Sequence, residues 1–287
     1  MDPAVQANLD AICAEDFEAT VWVVRHGERI DQIDPSWIKT ASQPFDPPLT
    51  STGLSQAFRC GESISLDLHP STKSGITPLT RILTSPFYRC LQTSASIMEG
   101  LANTTPPTAV PPLSLEPGLS EWLAQDYFDT PLPYDPFTYS NRQLEFPQLP
   151  ANAGSYTPSF PNPIPSWPEA YETMRTRLLT TFAHAVQQCC QPSQTGLVLV
   201  SHGAGCMAIV EEVMNAIGGG GGTFKVESTP YCCISMLVKK KGTKEWKAER
   251  VADVSHLGDL LKVKGLEFVV RDAHTDPAGG GADPTGH

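Results

Sequence analysis

The chain has no apolar run approaching the roughly 18 residues of a membrane-spanning helix, and cations are scarce, with 20 Lys and Arg against 31 Asp and Glu. The formal charge of −11 opposes general attraction to nucleic acid, whose affinity comes from Lys and Arg on phosphates. Any anion site must be local. Residues 1–20 also lack the basic start and apolar block of a secretory signal. The expectation is a soluble cytoplasmic protein, the nucleus remaining open, with no membrane contact and no direct nucleic-acid partner.

No G-x-x-x-x-G-K-[ST] phosphate loop occurs, and the glycine run at 218–222 reads as a flexible loop. The 8 cysteines include no C-x-x-C spacing; Cys189-Cys190 and Cys232-Cys233 are adjacent pairs. A zinc site is therefore not expected. A chain of 287 residues can build a core without disulfide staples, so all of the cysteines are expected to be free, buried thiols.

Present instead are three short apolar runs, "TVWVVRH", "RILTSP" and "GLVLVSH", each ending abruptly at polar residues and each followed by a helix-like segment. This alternation predicts an α/β layered domain with its chemistry at the carboxyl ends of the strands. Thr50 reads as the N-cap of the first such helix, with Leu54, Ala57, Phe58 and Ile64 as its apolar stripe. Residues 127–168, dense in Pro, Tyr, Asn and Ser, have no sustained period and read as an irregular cap insertion. A helical pattern resumes after Pro168, and "YCCISMLVKKKGTKEWKAERV" reads as a hairpin with Lys239 to Lys241 at its turn. The domain is expected over residues 18–270, after an N-terminal segment 1–17 and before a disordered tail 271–287.

The three strand exits carry Arg25 and His26, Ser85 through Arg89, and Ser201 with His202. A phosphate dianion needs several fixed donors, and Arg25, Arg29 and Arg89 supply three planar cationic forks. Such a neighbourhood disfavours imidazolium, so His26 stays neutral and nucleophilic. His202 would complete the clamp. A leaving alkoxide needs a proton, for which "LEPGLSEWL" offers Glu116 and Glu121. Glu121, beside Trp122 and leading into the cap, is the better candidate; Glu28 is a rival whose side chain should point away. Trp37, Tyr127 and Trp167 suit either an aromatic substrate or packing. His69, His184, His256, His274 and His287 have no matching context.

"RHGER", "PLTSTGLSQA", "TSPFYRCLQTSASI", "EPGLSEW" and "VSHGAG" resemble, in order, the motifs of the histidine phosphatase superfamily, also called phosphoglycerate mutase-like. They are nearest to the branch of the suppressors of T-cell receptor signalling and the ecdysteroid-phosphate phosphatases. The resemblance implies a mostly parallel mixed sheet flanked by helices in three layers, and no metal or organic cofactor. It further implies a covalent phosphohistidine at His26, phosphate binding by Arg25, Arg29, Arg89 and His202, and acid/base work by Glu121. A phosphomonoester hydrolase follows, acting on a phosphorylated small molecule or phosphoprotein, with homodimerisation open. Mutases of the family usually carry a small residue after "RHGE" and then a Trp-Asn pair, where this chain has Arg29, Ile30 and Asp31. That favours hydrolysis over a phosphoglycerate mutase. The other alternative is an interaction subunit of a larger assembly, such as the RNA polymerase III transcription machinery, which the "PFYRCL" segment also resembles.

Overall fold

The computed structural model describes residues 2–68, 78–104, 109–150, 156–190, 195–219 and 223–262. Its strands are β1 (Ala19–Arg25), β2 (Leu79–Thr84), β3 (Leu113–Leu115), β4 (Thr195–Ser201), β5 (Ile234–Lys239) and β6 (Trp246–Asp253). They form one sheet in the order β3-β2-β4-β1-β5-β6. The first four strands in that order run parallel, and β5 and β6 add an antiparallel hairpin at the edge. Because alternate residues of a strand face opposite sides, Val21 and Val23 of β1 enter one core, and Trp22 and Val24 enter the other.

The helices are α1 (Pro3–Ala14), α2 (Ile30–Ile33), α3 (Ser51–Asp67), α4 (Tyr88–Ala102), α5 (Tyr139–Glu145), α6 (Tyr171–Cys189) and α7 (Gly203–Ile217). One layer holds α1, α6 and α7, with Leu9, Phe182 and Ile209 buried in its core. The other holds α3 and α4, with Ile64, Leu91 and Ile97. Close approach of α3 and α4 needs Gly61 and Gly100: a Cβ on Gly61 would stand 2.2 Å from the Ile97 carbonyl oxygen, and one on Gly100 2.2 Å from that of Phe58. This is the expected three-layer mixed α/β architecture.

Thr50 caps α3 by accepting the Gly53 N–H at 2.9 Å. The stripe differs from expectation at Leu54, which is 38% exposed, and at Phe58, which is half-buried, because the face that α3 buries is built largely on small residues, Gly53, Ala57, Cys60 and Gly61, with Ile64. The hairpin forms, but Lys239 is not in its turn. It ends β5 fully buried, and its Nζ donates to the carbonyls of Glu15 (2.8 Å) and Phe17 (3.2 Å) over the Phe17 ring. Carbonyls just after α1 supply the partners that a buried ammonium requires.

The segment expected ahead of the domain contains α1, whose Val5, Leu9 and Ile12 pack into the sheet-side core. The stretch expected to be irregular contains α5, and Phe137 and Ile164 join Phe87 and Leu123 in a small separate core. Residues 271–287, expected to be disordered, lie outside the described residues, as do His69, His274 and His287. No described helix is long and apolar enough to cross a membrane. All eight cysteines are free thiols.

Candidate active site

Strands β2, β4 and β1 are parallel neighbours, so their carboxyl ends stand side by side. Above them opens a cavity of about 790 Å³ whose wall includes Arg25, His26, Arg29, Arg89 and Glu121. Gly203 and Ala204, the first turn of α7, also line it. Helix N-termini present free N–H groups and a positive dipole end, which favour an anion.

His26 leaves β1 with its N–H bonded to the Ser201 carbonyl (3.0 Å), and the following turn lies tight against α3. Gly27 is required there, because a Cβ would meet the Gly53 carbonyl oxygen at 2.5 Å. His26 Nδ1 lies 2.9 Å from the Gly27 carbonyl oxygen. A carbonyl only accepts, so Nδ1 carries the proton and Nε2 keeps the lone pair. Burial pushes the imidazole well below its ordinary value, and Arg89, Arg25, His202 and Arg29 push it further. The ring is neutral, although burial outweighs the surrounding charges as the cause.

Arg25 donates to the Thr229 carbonyl at 2.6 Å and stacks 4.2 Å from the Tyr231 ring centroid. Arg29 forms a two-point pair with Asp31, at 3.0 and 2.5 Å, so pairing with Asp31 and a place on the cavity wall coexist. Arg89, the second residue of α4, donates through Nη2 to Glu121 (3.0 Å). Its Nε and Nη1 are buried without a hydrogen bond among the described residues. Its ion pairs among the described residues are with Glu121 and, at 3.5 Å, with Asp46.

His202 is fully buried behind this wall. Its Nδ1 is 3.1 Å from both Arg89 Nη2 and Glu121 Oε2, and its Nε2 is 2.8 Å from the Ser85 hydroxyl. Burial lowers it to about 4, against the opposing pull of Glu121. Burial also disfavours the Glu121 carboxylate, yet His202, Arg89 and Arg29 outweigh it and hold the carboxyl below the usual carboxylate range.

The rival acids lie elsewhere. Glu28 accepts the Thr50 hydroxyl at 2.6 Å, and Glu116 accepts Gly118 N–H, Tyr156 hydroxyl and both the N–H and hydroxyl of Ser159. Neither lines the cavity. The Glu121 loop is braced from behind: Arg177 donates to the carbonyls of Gly118 (2.7 Å) and Ser120 (3.1 Å) and pairs with Glu169 at 2.7 Å. His26, Glu121 and His202 bring one metal-capable atom each to within 4.8 Å of one another. A cation there would meet Arg25, Arg29 and Arg89, so the charge balance suits an anion.

Tyr127 lines the cavity; Trp37 and Trp167 do not, and Trp167 bonds to the Phe128 carbonyl inside the small core. His184 bonds to the Thr157 carbonyl and His256 to Cys60, both structural contacts. Sequence reasoning missed Tyr231, which faces His26 at 5.6 Å between ring centroids. Its only sequence signal is its place in "TPYCCISML", just before β5. It also missed Asp46 and Arg142, whose pairing across the fold has no local signature.

The chain is 29% identical over 226 residues to the human ubiquitin-associated and SH3 domain-containing protein A, covering 69% of this chain and 31% of that protein. It is 29% identical over 143 residues to the ecdysteroid-phosphate phosphatase of Drosophila melanogaster, covering 41% and 17%. It thus spans a third or less of these curated relatives. The fold is similar to the crystal structure of the ecdysone phosphate phosphatase from Bombix mori in complex with tungstate, with a TM-score of 0.53 and 16% identity, covering 82% of this chain and 93% of that one. The profile of the histidine phosphatase superfamily (branch 1) matches residues 21–253, well over half of the sequence, and the chain belongs to that superfamily.

Proposed function

We propose that the chain is a phosphomonoester hydrolase that transfers the phosphoryl group to His26 and then to water. The observation that carries this reading is a buried, neutral imidazole whose Nδ1 is tied to a carbonyl, on a cavity wall shared with three guanidinium groups. The free Nε2 attacks phosphorus while the bond to the leaving oxygen breaks and its electron pair departs with that oxygen. Arg25, Arg29 and Arg89 balance the charge on the equatorial oxygens. His202 aligns Arg89 with Glu121, and a phosphoryl oxygen that reached its Nδ1 would replace the contact to Glu121.

His202, Arg89 and Arg29 hold Glu121 as a carboxylate, so it must gain a proton before it can donate one. A bound dianion offsets Arg89 and Arg29, two of the charges that hold this carboxyl down, and so raises its affinity for the proton. Glu121 then protonates the leaving oxygen. As a carboxylate again, it takes a proton from water, whose oxygen attacks phosphorus as the N–P bond breaks back to Nε2.

The test is hydrolysis of para-nitrophenyl phosphate in the presence of EDTA. Turnover is expected from the native chain, with a loss of about 10⁴-fold or more in His26→Ala and an unchanged melting temperature. Full turnover in that variant overturns the mechanism. Conversion of 3-phosphoglycerate to its 2-isomer faster than phosphate release would identify a mutase instead.

A further inference from the structure

The strongest feature that the reaction does not use lies behind the cavity. Asp46 sits between Phe45 and Pro47, which line the cavity, but is not itself a lining residue. Its side chain is 1% exposed and meets two buried guanidiniums, Arg89 and Arg142, whose side chains are 2% and 1% exposed. Arg142 belongs to α5 in the insertion, where it also donates to the Pro86 carbonyl (2.7 Å) and Glu145 (2.8 Å).

The division of Asp46 between its partners is unequal. Its hydrogen bonds come from Arg142 and from the Tyr88 N–H at the start of α4, at 2.9 and 3.2 Å. Arg89 is left with an ion pair at 3.5 Å and no hydrogen bond through Nε or Nη1. A carboxylate joined to Arg89 by a two-point fork, as Asp31 is to Arg29, would consume the donors that an incoming anion needs. With Oδ2 engaged by Arg142 and Oδ1 by the Tyr88 N–H, Asp46 orients Arg89 by charge and leaves those donors unbonded.

We infer that Asp46 and Arg142 are positioning residues for the anion clamp: the insertion, through Arg142, keeps Asp46 from saturating Arg89. The inference rests on the phosphatase reading of the cavity. Its test is competitive inhibition by inorganic phosphate, with para-nitrophenyl phosphate as substrate. Asp46→Asn removes the charge that orients Arg89, and Arg142→Gln releases Asp46 onto it. Each is expected to raise the inhibition constant and KM together by roughly tenfold, the scale of one charged hydrogen bond.

Arg142→Lys, which keeps the charge beside Asp46, is expected to recover part of that loss. In an Arg89→Ala background either change shrinks to under about twofold, because the group through which it acts is gone. A merely structural role predicts a fall in kcat with KM unchanged, or equal factors in both backgrounds, and either result overturns the inference. Native enzyme that phosphate does not inhibit sinks the phosphatase reading itself. Normal native inhibition with unaltered constants in both variants sinks only the positioning role.

Discussion

The two walls of the cavity are built by different means. On the sheet side, His26 and Ser85 are fixed by ladder-type backbone bonds to Ser201 and Val200, and His202 follows directly on β4. On the insertion side no described strand contributes. Glu121, Trp122 and the residues from Tyr127 to Pro133 hang on buried polar hubs: Glu116 with its four donors, Arg177 with Glu169 and two carbonyls, and Asp46 with Arg142. Backbone ladders fix a ligand through many small interactions, whereas a hub concentrates the same task in one charged group. The first wall should therefore lose chemistry when altered and keep its fold, and the second should lose both.

The sharpest test of this contrast is Glu121→Gln, which removes the only proposed contribution of the insertion side to bond breaking. General acid catalysis is worth roughly 10²–10⁴-fold, so an alkyl phosphate should lose that much in kcat. Para-nitrophenyl phosphate, whose leaving phenoxide needs little help, should lose far less. Equal losses for both substrates would remove Glu121 from the role of donor. The hub itself is tested by Arg177→Met, which leaves the Glu169 carboxylate buried and two loop carbonyls unbonded. Breaking a buried pair in this way costs about 3–5 kcal/mol, measured by urea unfolding. A cost below about 1 kcal/mol would mean that the loop holds itself and that the contrast between the walls is false.

The same contrast explains what the sequence made legible. β1, β2 and β4 announce themselves because each is an apolar run stopped by polar residues, and the ligands at those stops follow from the strand order. Leu54 broke the expected stripe because α3 packs through small residues, Gly53, Ala57 and Gly61, which periodicity of large side chains does not register. Lys239 looked like part of a solvated turn because its partners, the carbonyls of Glu15 and Phe17, lie more than 220 positions away. Arg142 and Asp46 are separated by 96 positions, and no local pattern marks either as buried. Helix α5, only seven residues long, is too short to show a period. Lys239, Asp46 and Arg142 escaped for one reason: each is a charged group whose environment is created by a distant segment.

The smallest effects are in pH dependence, and they separate the buried histidines from Glu121 by pH window. His202 and His256 are both lowered to about 4 by burial, and His26 is lowered as well, whereas an unfolded histidine titrates near 6.5. Between pH 6.5 and 4 the unfolded chain binds protons that the folded chain refuses, so stability falls as pH falls through that window. Glu121 has its carboxyl lowered in the fold, so its stabilisation is complete above about 4.5 and is lost only at lower pH. Urea midpoints at pH 7, 6, 5 and 4 should therefore decline from the first step below 6.5. Replacing His256, which is outside the cavity, with Gln should flatten that decline without altering the pH profile of kcat/KM. A decline that begins only below pH 4.5 would assign the acid sensitivity to the carboxylates and mean that burial does not lower the histidines in the fold.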